Sequence, residues 1–239
     1  EHIAKLSQFY DVTLISSGDG SQLSDILNDR VTFVSLNIER KVSIFSDVLA
    51  FYSLVKLFHS RKFDCVHSLM PKSALLAMVA ARVTNVPKRV HIFTGQVWST
   101  RVGMSRWILK WMDRILSSCA THLLADSPSQ RDFLIEEKIV RTEKIRVLGN
   151  GSISGVDTNR FRPNEIEKLN VRDNLKISLD AVVFLYLARL TRVKGIVDLT
   201  TAFISIADMM PNAHLMVIGP DEDDLLASLM NSGGAYKNR

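Results

Sequence analysis

Apolar positions along this chain switch repeatedly between two rhythms. Short runs rich in β-branched and aromatic residues, "YDVTLISSG" (10–18), "RVTFVSLNI" (30–38), "FDCVHSL" (63–69) and "KRVHIFTG" (88–95), have the length and composition of strands. Between them stand stretches with helical spacing: a helix tail in "HIAKLSQF" (2–9), a long helix from Ser43 to Arg61, and "SALLAMVAARVT" (73–84). Strands separated by helices of this length imply right-handed βαβ crossovers and a mostly parallel sheet. The predicted class is α/β, with a doubly wound first domain.

The alternation continues. From Ser105 to Cys119 the residues Trp107, Ile108, Trp111, Met112, Ile115, Leu116 and Cys119 form one helical stripe, flanked by Arg101, Arg106, Lys110 and Arg114. We read this stripe as packing on the sheet with its basic flank left exposed; the alternative is a helix lying on a membrane surface. "THLLADSPSQRDFLIEE" (121–137) gives a strand and then a helix capped by Ser127, with Pro128 in its first turn and Gln130 completing a capping box. "KIRVLGN" (144–150) is a further strand, running into the polar loop "GNGSISGVDTNRF" (149–161).

Residues 162–181 are charged and poor in apolar side chains, as suits a linker or a surface helix between domains. A second unit then begins: a strand over 182–188, a helix over 196–209, the strand "AHLMVIG" (213–219) and a helix after "PDEDD" (220–224). The expected organisation is a domain over 1–161, a linker over 162–181 and a partial second domain over 182–239. Two strand–helix pairs are too few to close a doubly wound sheet with a core of its own.

Charge and cysteine content narrow the function classes. The formal net charge of +5 makes anionic partners plausible, yet the basic residues are scattered and accompany no nucleic-acid-reading motif. Nucleic acid is therefore not expected as a partner. Cys65 and Cys119 lie in apolar surroundings without CxxC spacing, so two buried free thiols in a reducing cytoplasm are expected. No apolar run approaches the roughly 18 residues of a membrane span, and "EHIAKLSQFY" lacks a signal-peptide pattern.

The junction "LYLARLTRVKGIVDLTTAF" (185–203) carries the most chemistry. Arg189 ends an apolar strand, and Lys194 and Gly195 precede a helix whose apolar face holds Ile196, Leu199, Phe203 and Ile204. A strand, a turn and a helix start together form an anion-binding geometry, to which Arg189 and Lys194 would add full charges suited to a phosphate or diphosphate. The same pattern also occurs without a ligand, and spacing alone leaves both readings open.

Three ordered motifs carry a resemblance. "KIRVLGNGSISGVDTNRFRP" (144–163), "LARLTRVKGIVDLTTAF" (187–203) and "NAHLMVIGPDEDDL" (212–225) resemble the retaining glycosyltransferases of the GT-B architecture, specifically glycosyltransferase family 4. "HSLMPKSALLAMVAARVTNVPKRVHIFTGQVW" (67–98) resembles the acceptor-side segment of bacterial polysaccharide-building members. The resemblance implies a Rossmann-like N-terminal domain and the first part of a second one.

It further implies a nucleotide-diphosphate sugar as donor, held by Arg189, Lys194, Gly195 and Gly219, with Arg189 and Lys194 as the catalytic cations on the diphosphate. Thr94, Gly95 and Gln96, and Asn150, Gly151 and Ser152, become the loop and acceptor candidates. No metal or other cofactor is expected. The implied acceptor is a glycan or lipid-linked intermediate of surface polysaccharide assembly, met in the cytoplasm or at the inner face of the membrane, with peripheral membrane contact left open. A GT-B epimerase or phosphorylase, or a truncated binding module, are the alternatives.

The chain departs from the family pattern in places. Ala188 stands where a Gly usually precedes the Arg, and Thr94 stands where many members have a His before Gly95. Neither a first strand with a glycine-rich turn nor the family's paired glutamates are found, so we expect an internal fragment of a longer enzyme. Asp221 and Asp223 have a D-x-D spacing that could hold a divalent ion, but acidic residues at a helix start are well explained by the helix dipole. His67 and His91 stand near strand ends, where a lone His is more often structural, and no catalytic base is assigned.

Overall fold

The computed structural model describes residues 2–21, 30–38, 43–152 and 155–234. Ile153 and Ser154 of the 149–161 loop, and the tail 235–239, lie outside the described residues. The chain divides into two compact units, Glu1–Val156 and Asp157–Arg239.

The first unit runs α1 (His2–Leu6), β1 (Val12–Ser16), β2 (Val31–Ser35), α2 (Ile44–Arg61), β3 (Cys65–Ser68), α3 (Pro71–Val83), β4 (Lys88–Phe93), α4 (Gly103–Cys119), β5 (His122–Ala125), α5 (Pro128–Glu136) and β6 (Ile145–Val147). All pairings are parallel, as the strand–helix alternation predicted. They form two ladders, β1–β2 and β3–β4–β5–β6, rather than one sheet. A cavity of about 380 Å³ lies between them, lined by Thr13–Ser16 of β1, Cys65–Ser68 of β3, and Leu54 and Phe58 of α2.

Helices α2, α3 and α4 form one layer, with α3 touching both neighbours and packing on β3 and β4. Leu54 and Phe58 of α2, Met78 of α3 and Leu116 of α4 share one core with Val66 and Leu123 of the sheet. Asp47 of α2 meets Lys72 of α3 at 2.7 Å, which sets their N-terminal ends side by side. Because α3 and α4 both return to parallel strands, the N-termini of all three helices lie at the C-terminal edge of the sheet. At α5 the cap forms as predicted: Ser127 Oγ accepts from the Gln130 amide at 3.1 Å, while Gln130 Oε1 reaches the Asp126 amide at 2.7 Å.

The second unit holds α6 (Glu165–Asn174), β7 (Val182–Leu187), α7 (Ile196–Ile206), β8 (Ala213–Ile218) and α8 (Leu226–Gly233), with β7 and β8 parallel. Residues 162–181 therefore contain a helix, capped by Asn164, whose Arg172 donates to the Ser178 and Ala181 carbonyls. The core of this unit is small, built on Tyr186, Leu190, Ile196 and Leu225. Leu187 of β7 remains 71% exposed.

Two expectations are corrected. Helix α4 follows the expected packing only in part: Leu116 and Cys119 of its stripe are buried, but Trp107 and Trp111 are 57% and 48% exposed, while Arg106 and Lys110 point inward. The cause is Trp98, fully buried in the loop before α4, whose ring takes Arg106 and Lys110 each 5.3 Å from its centroid. Glu137 neutralises both cations, pairing with Arg106 at 2.6 Å and with Lys110. Cys119 is buried as expected, but Cys65 is exposed, since it opens β3 at the end of its ladder. Among the described residues no helix is long and apolar enough to cross a membrane.

Candidate functional site

In the second unit, the site residues lie on the turns that follow β7 and β8. Tyr186, near the end of β7, donates its hydroxyl to the Arg189 carbonyl at 3.0 Å and so fixes the start of the first turn. A 3-10 turn over Arg192–Lys194 follows, and Gly195 takes a left-handed conformation at φ +76° before α7 begins. The first i→i−4 bond of α7 runs from the Leu199 amide to the Gly195 carbonyl, so the amides of Ile196, Val197 and Asp198 precede the helical ladder. Arg189 and Lys194 are both exposed on this turn. Cationic side chains and free amides at one helix start are the ingredients of a phosphate site.

The turn after β8 is pressed against the first. The Ala188 amide donates to the Ile218 carbonyl and the Leu190 amide to the Pro220 carbonyl. A Cβ on Gly219 would stand 1.9 Å from the Ala188 carbonyl oxygen, so only glycine fits there. The acidic residues beyond it are occupied. Asp221 accepts from the amides of Leu225 and Leu226 at 2.9 and 2.8 Å, and these amides, Leu226's first, hold its carboxyl below the usual range. Asp223 accepts from the Arg192 amide at 3.0 Å and ties the two turns together. Glu222 pairs with Arg189 at 2.7 Å. The D-x-D carboxylates thus bind backbone amides.

In the first unit, the loop residues gather at the C-terminal edge of the four-stranded ladder, where doubly wound sheets bind ligands. The Ser152 amide donates to the Asp126 carbonyl at 2.7 Å. A Cβ on Gly151, at φ +95°, would come within 2.4 Å of the same oxygen. Gly151 and Ser152 line a cavity of about 370 Å³ together with His67, Ile92, Leu124 and Leu148. Burial, with a smaller contribution from His2, pushes the His67 pKa down. Asn150 is exposed, and neither it nor Thr94, Gly95 and Gln96 lines this cavity.

Thr94 and Gly95 are exposed, whereas Gln96 is partly buried and its Nε2 has no hydrogen-bond partner among the described residues. A buried unpaired donor on a site loop suits a ligand oxygen. The loop is pinned by Trp98, which stacks on Phe133 at 5.4 Å and donates its indole N–H to Asp113 at 2.7 Å. Sequence reasoning missed this anchor, as it missed Glu222, because both join residues far apart in the chain. His91 is structural: it is 2% exposed, its Nδ1 lies 2.9 Å from Ser68 Oγ, and burial pushes its pKa down to about 4.

Comparison with known proteins fits this geometry. Residues 4–151 match the glycosyl transferase 4-like domain. The chain belongs to the glycosyl transferase 4-like family. It is 31% identical over 228 residues to the capsular polysaccharide biosynthesis glycosyltransferase CapM of Staphylococcus aureus, covering 92% of this chain and 59% of that protein. It is 29% identical over 218 residues to the UDP-Gal:α-D-GlcNAc-diphosphoundecaprenol α-1,3-galactosyltransferase of Escherichia coli, covering 89% and 55%. The crystal structure of Anabaena HepE with UDP-glucose shares the fold at a TM-score of 0.74 and 15% identity, over 98% of this chain and 61% of that one. The architecture is GT-B-like. This glycosyl transferase 4-like chain spans somewhat more than half the length of the curated relatives it matches.

Proposed function

We propose that the whole protein transfers a sugar from a nucleotide-diphosphate donor, UDP-linked as in the name of the Escherichia coli relative, to a lipid-linked glycan intermediate of surface polysaccharide assembly, with retention of configuration. The observation that carries this reading is the turn between β7 and α7, where Arg189, Lys194 and the first amides of α7 stand together. In the transfer, the bond between the anomeric carbon and the diphosphate oxygen breaks while the acceptor hydroxyl bonds to that carbon on the same face. The hydroxyl proton passes to the leaving diphosphate. Arg189 and Lys194 stabilise the negative charge that grows on the diphosphate, and preorganised cations act most strongly on charge that develops in the transition state.

Thr94, Gly95 and Gln96, held by the Trp98 anchor, and Asn150, Gly151 and Ser152 are assigned to the acceptor side. A lipid-linked acceptor places the reaction at the cytoplasmic face of a membrane, with the protein bound peripherally. The test is product analysis: the full-length protein is incubated with labelled UDP-sugars and a bacterial lipid extract. Label moving to the lipid fraction supports transfer. Free sugar, sugar phosphate or an epimerised nucleotide sugar would instead identify an epimerase or phosphorylase.

A further inference from the structure

The 3-10 turn Arg192–Lys194, which carries Lys194 up to Gly195 and α7, has little of its own to hold it in place. None of its residues is buried, and Val193 at its centre is 94% exposed. Its internal bonds run from the Lys194 amide to the Thr191 carbonyl and from the Gly195 amide to the Arg192 carbonyl, both at 3.0 Å. The first amide of such a turn finds no acceptor within it and needs a cap. Thr191 stands in the cap position, yet its side chain makes no capping bond. The acceptor comes instead from the turn after β8: the Arg192 amide donates to Asp223 Oδ2 at 3.0 Å, across 31 positions of the chain. Asp223 is itself held between two fixed points. Asp221 pairs with Leu190 in an isolated bridge, and its carboxylate takes the amides of Leu225 and Leu226 at 2.9 and 2.8 Å. Leu190 and Leu225 are buried together in the core of the second unit.

We infer that Asp223 is a positioning residue for the donor diphosphate: by capping the turn it fixes where Lys194 stands, and it acts through that lysine rather than by contact with the nucleotide. The inference deepens the proposed function and rests on the donor role given there to this turn. Two adjacent carboxylates then act with opposite signs. Glu222 grips the Arg189 guanidinium, a group that the nucleotide also needs, whereas Asp223 grips a backbone amide and leaves both cationic side chains to the ligand. The charge of Asp223 opposes a diphosphate nearby, so its benefit lies in the acceptor oxygen alone. An amide in place of the acid keeps that oxygen and removes the opposing charge.

The test measures UDP binding by calorimetry on the full-length protein and its variants, with Tm recorded for each. Asp223→Ala should weaken UDP binding about three- to tenfold, the scale of one lost hydrogen bond. Asp223→Asn should bind UDP as tightly as wild type or more so, since its side-chain oxygen still caps the turn. Because Asp223 is exposed, Tm should stay within about two degrees of wild type in both variants. A merely structural aspartate would not depend on the lysine it serves. In a Lys194→Ala background, Asp223→Ala should therefore change the affinity less than about twofold. With Lys194→Ala alone weakening UDP binding, three results would overturn the inference and leave the donor reading standing: wild-type affinity in Asp223→Ala, an Asn variant as weak as the Ala variant, or the same loss from Asp223→Ala with and without Lys194. If Lys194→Ala alone binds UDP as wild type does, the donor reading of this turn fails and the inference falls with it.

Discussion

The guanidinium of Arg189, on the turn after β7, donates Nη1 to the Glu222 carboxylate, on the turn after β8, at 2.7 Å. The cation assigned to the donor diphosphate therefore already holds an anion, and Glu222 and the nucleotide compete for it. Both side chains are about half exposed, where such a pair contributes about 0.2–1 kcal/mol. Glu222→Gln should accordingly tighten UDP binding about two- to fivefold by calorimetry on the full-length protein. Weaker binding in the variant would mean that Glu222 orients Arg189 instead of competing for it.

Arg189→Ala and Lys194→Ala test the cations themselves. Each should lower kcat by about 10²- to 10³-fold, the usual cost of deleting a preorganised group that meets developing charge. Neither side chain is buried, so the melting temperature should stay within a degree or two of wild type. Unchanged turnover in both variants would end the diphosphate assignment.

How much of this was legible in the sequence depended on the range of the interaction. Periodicity placed every strand from β1 to β8 and the cap on α5, because alternation, β-branching and a Ser-Pro-x-Gln start act over a few residues. The same periodicity found the stripe on α4, whose Leu116 and Cys119 do pack inward, but not the exposure of Trp107 and Trp111. A stripe shows that one face is apolar; how Arg106, Lys110 and Asp113 come to face inward as well is set here by Trp98 and Glu137, which lie outside the helical repeat. The Arg189–Glu222 pair spans 33 positions and left no local signal. Gly219 was legible only through resemblance, since its need for glycine comes from a carbonyl on the neighbouring strand end.

Burial of His91 gives the first unit a pH dependence of definite sign. Its pKa falls from 6.5 to about 4, mainly by desolvation, with the Ser68 contact opposing. Between those values the unfolded chain takes up a proton that the folded chain refuses, so stability is fully present above pH 6.5 and is lost as pH falls toward 4. The shift corresponds to about 3 kcal/mol. His91→Gln, which retains an acceptor for Ser68, should flatten urea-unfolding stability across that window; an undiminished slope would place the titration elsewhere.

Asp113 should act with the opposite sign. Burial raises its pKa, and the hydrogen bond from Trp98 only partly offsets that cost. A folded carboxyl that holds its proton more tightly than the unfolded one favours the folded state at low pH, and that advantage disappears as pH rises through the raised value. Above it the protein carries the cost of a desolvated carboxylate. Asp113→Asn keeps an oxygen for the Trp98 indole while removing the charge, and should be as stable as wild type or more so at pH 7, with the difference vanishing in acid. Asp113→Ala leaves the buried indole N–H unpaired and should lose about 1–3 kcal/mol in acid, and less at neutral pH, where it also removes the desolvated carboxylate. Because the anchor sets the Thr94–Gln96 loop, the Ala variant should also raise KM for the acceptor while leaving the affinity for UDP unchanged. A loss of UDP affinity, or an Asn variant as damaged as the Ala variant, would refute the assignment of Asp113 as an indole acceptor that positions this loop.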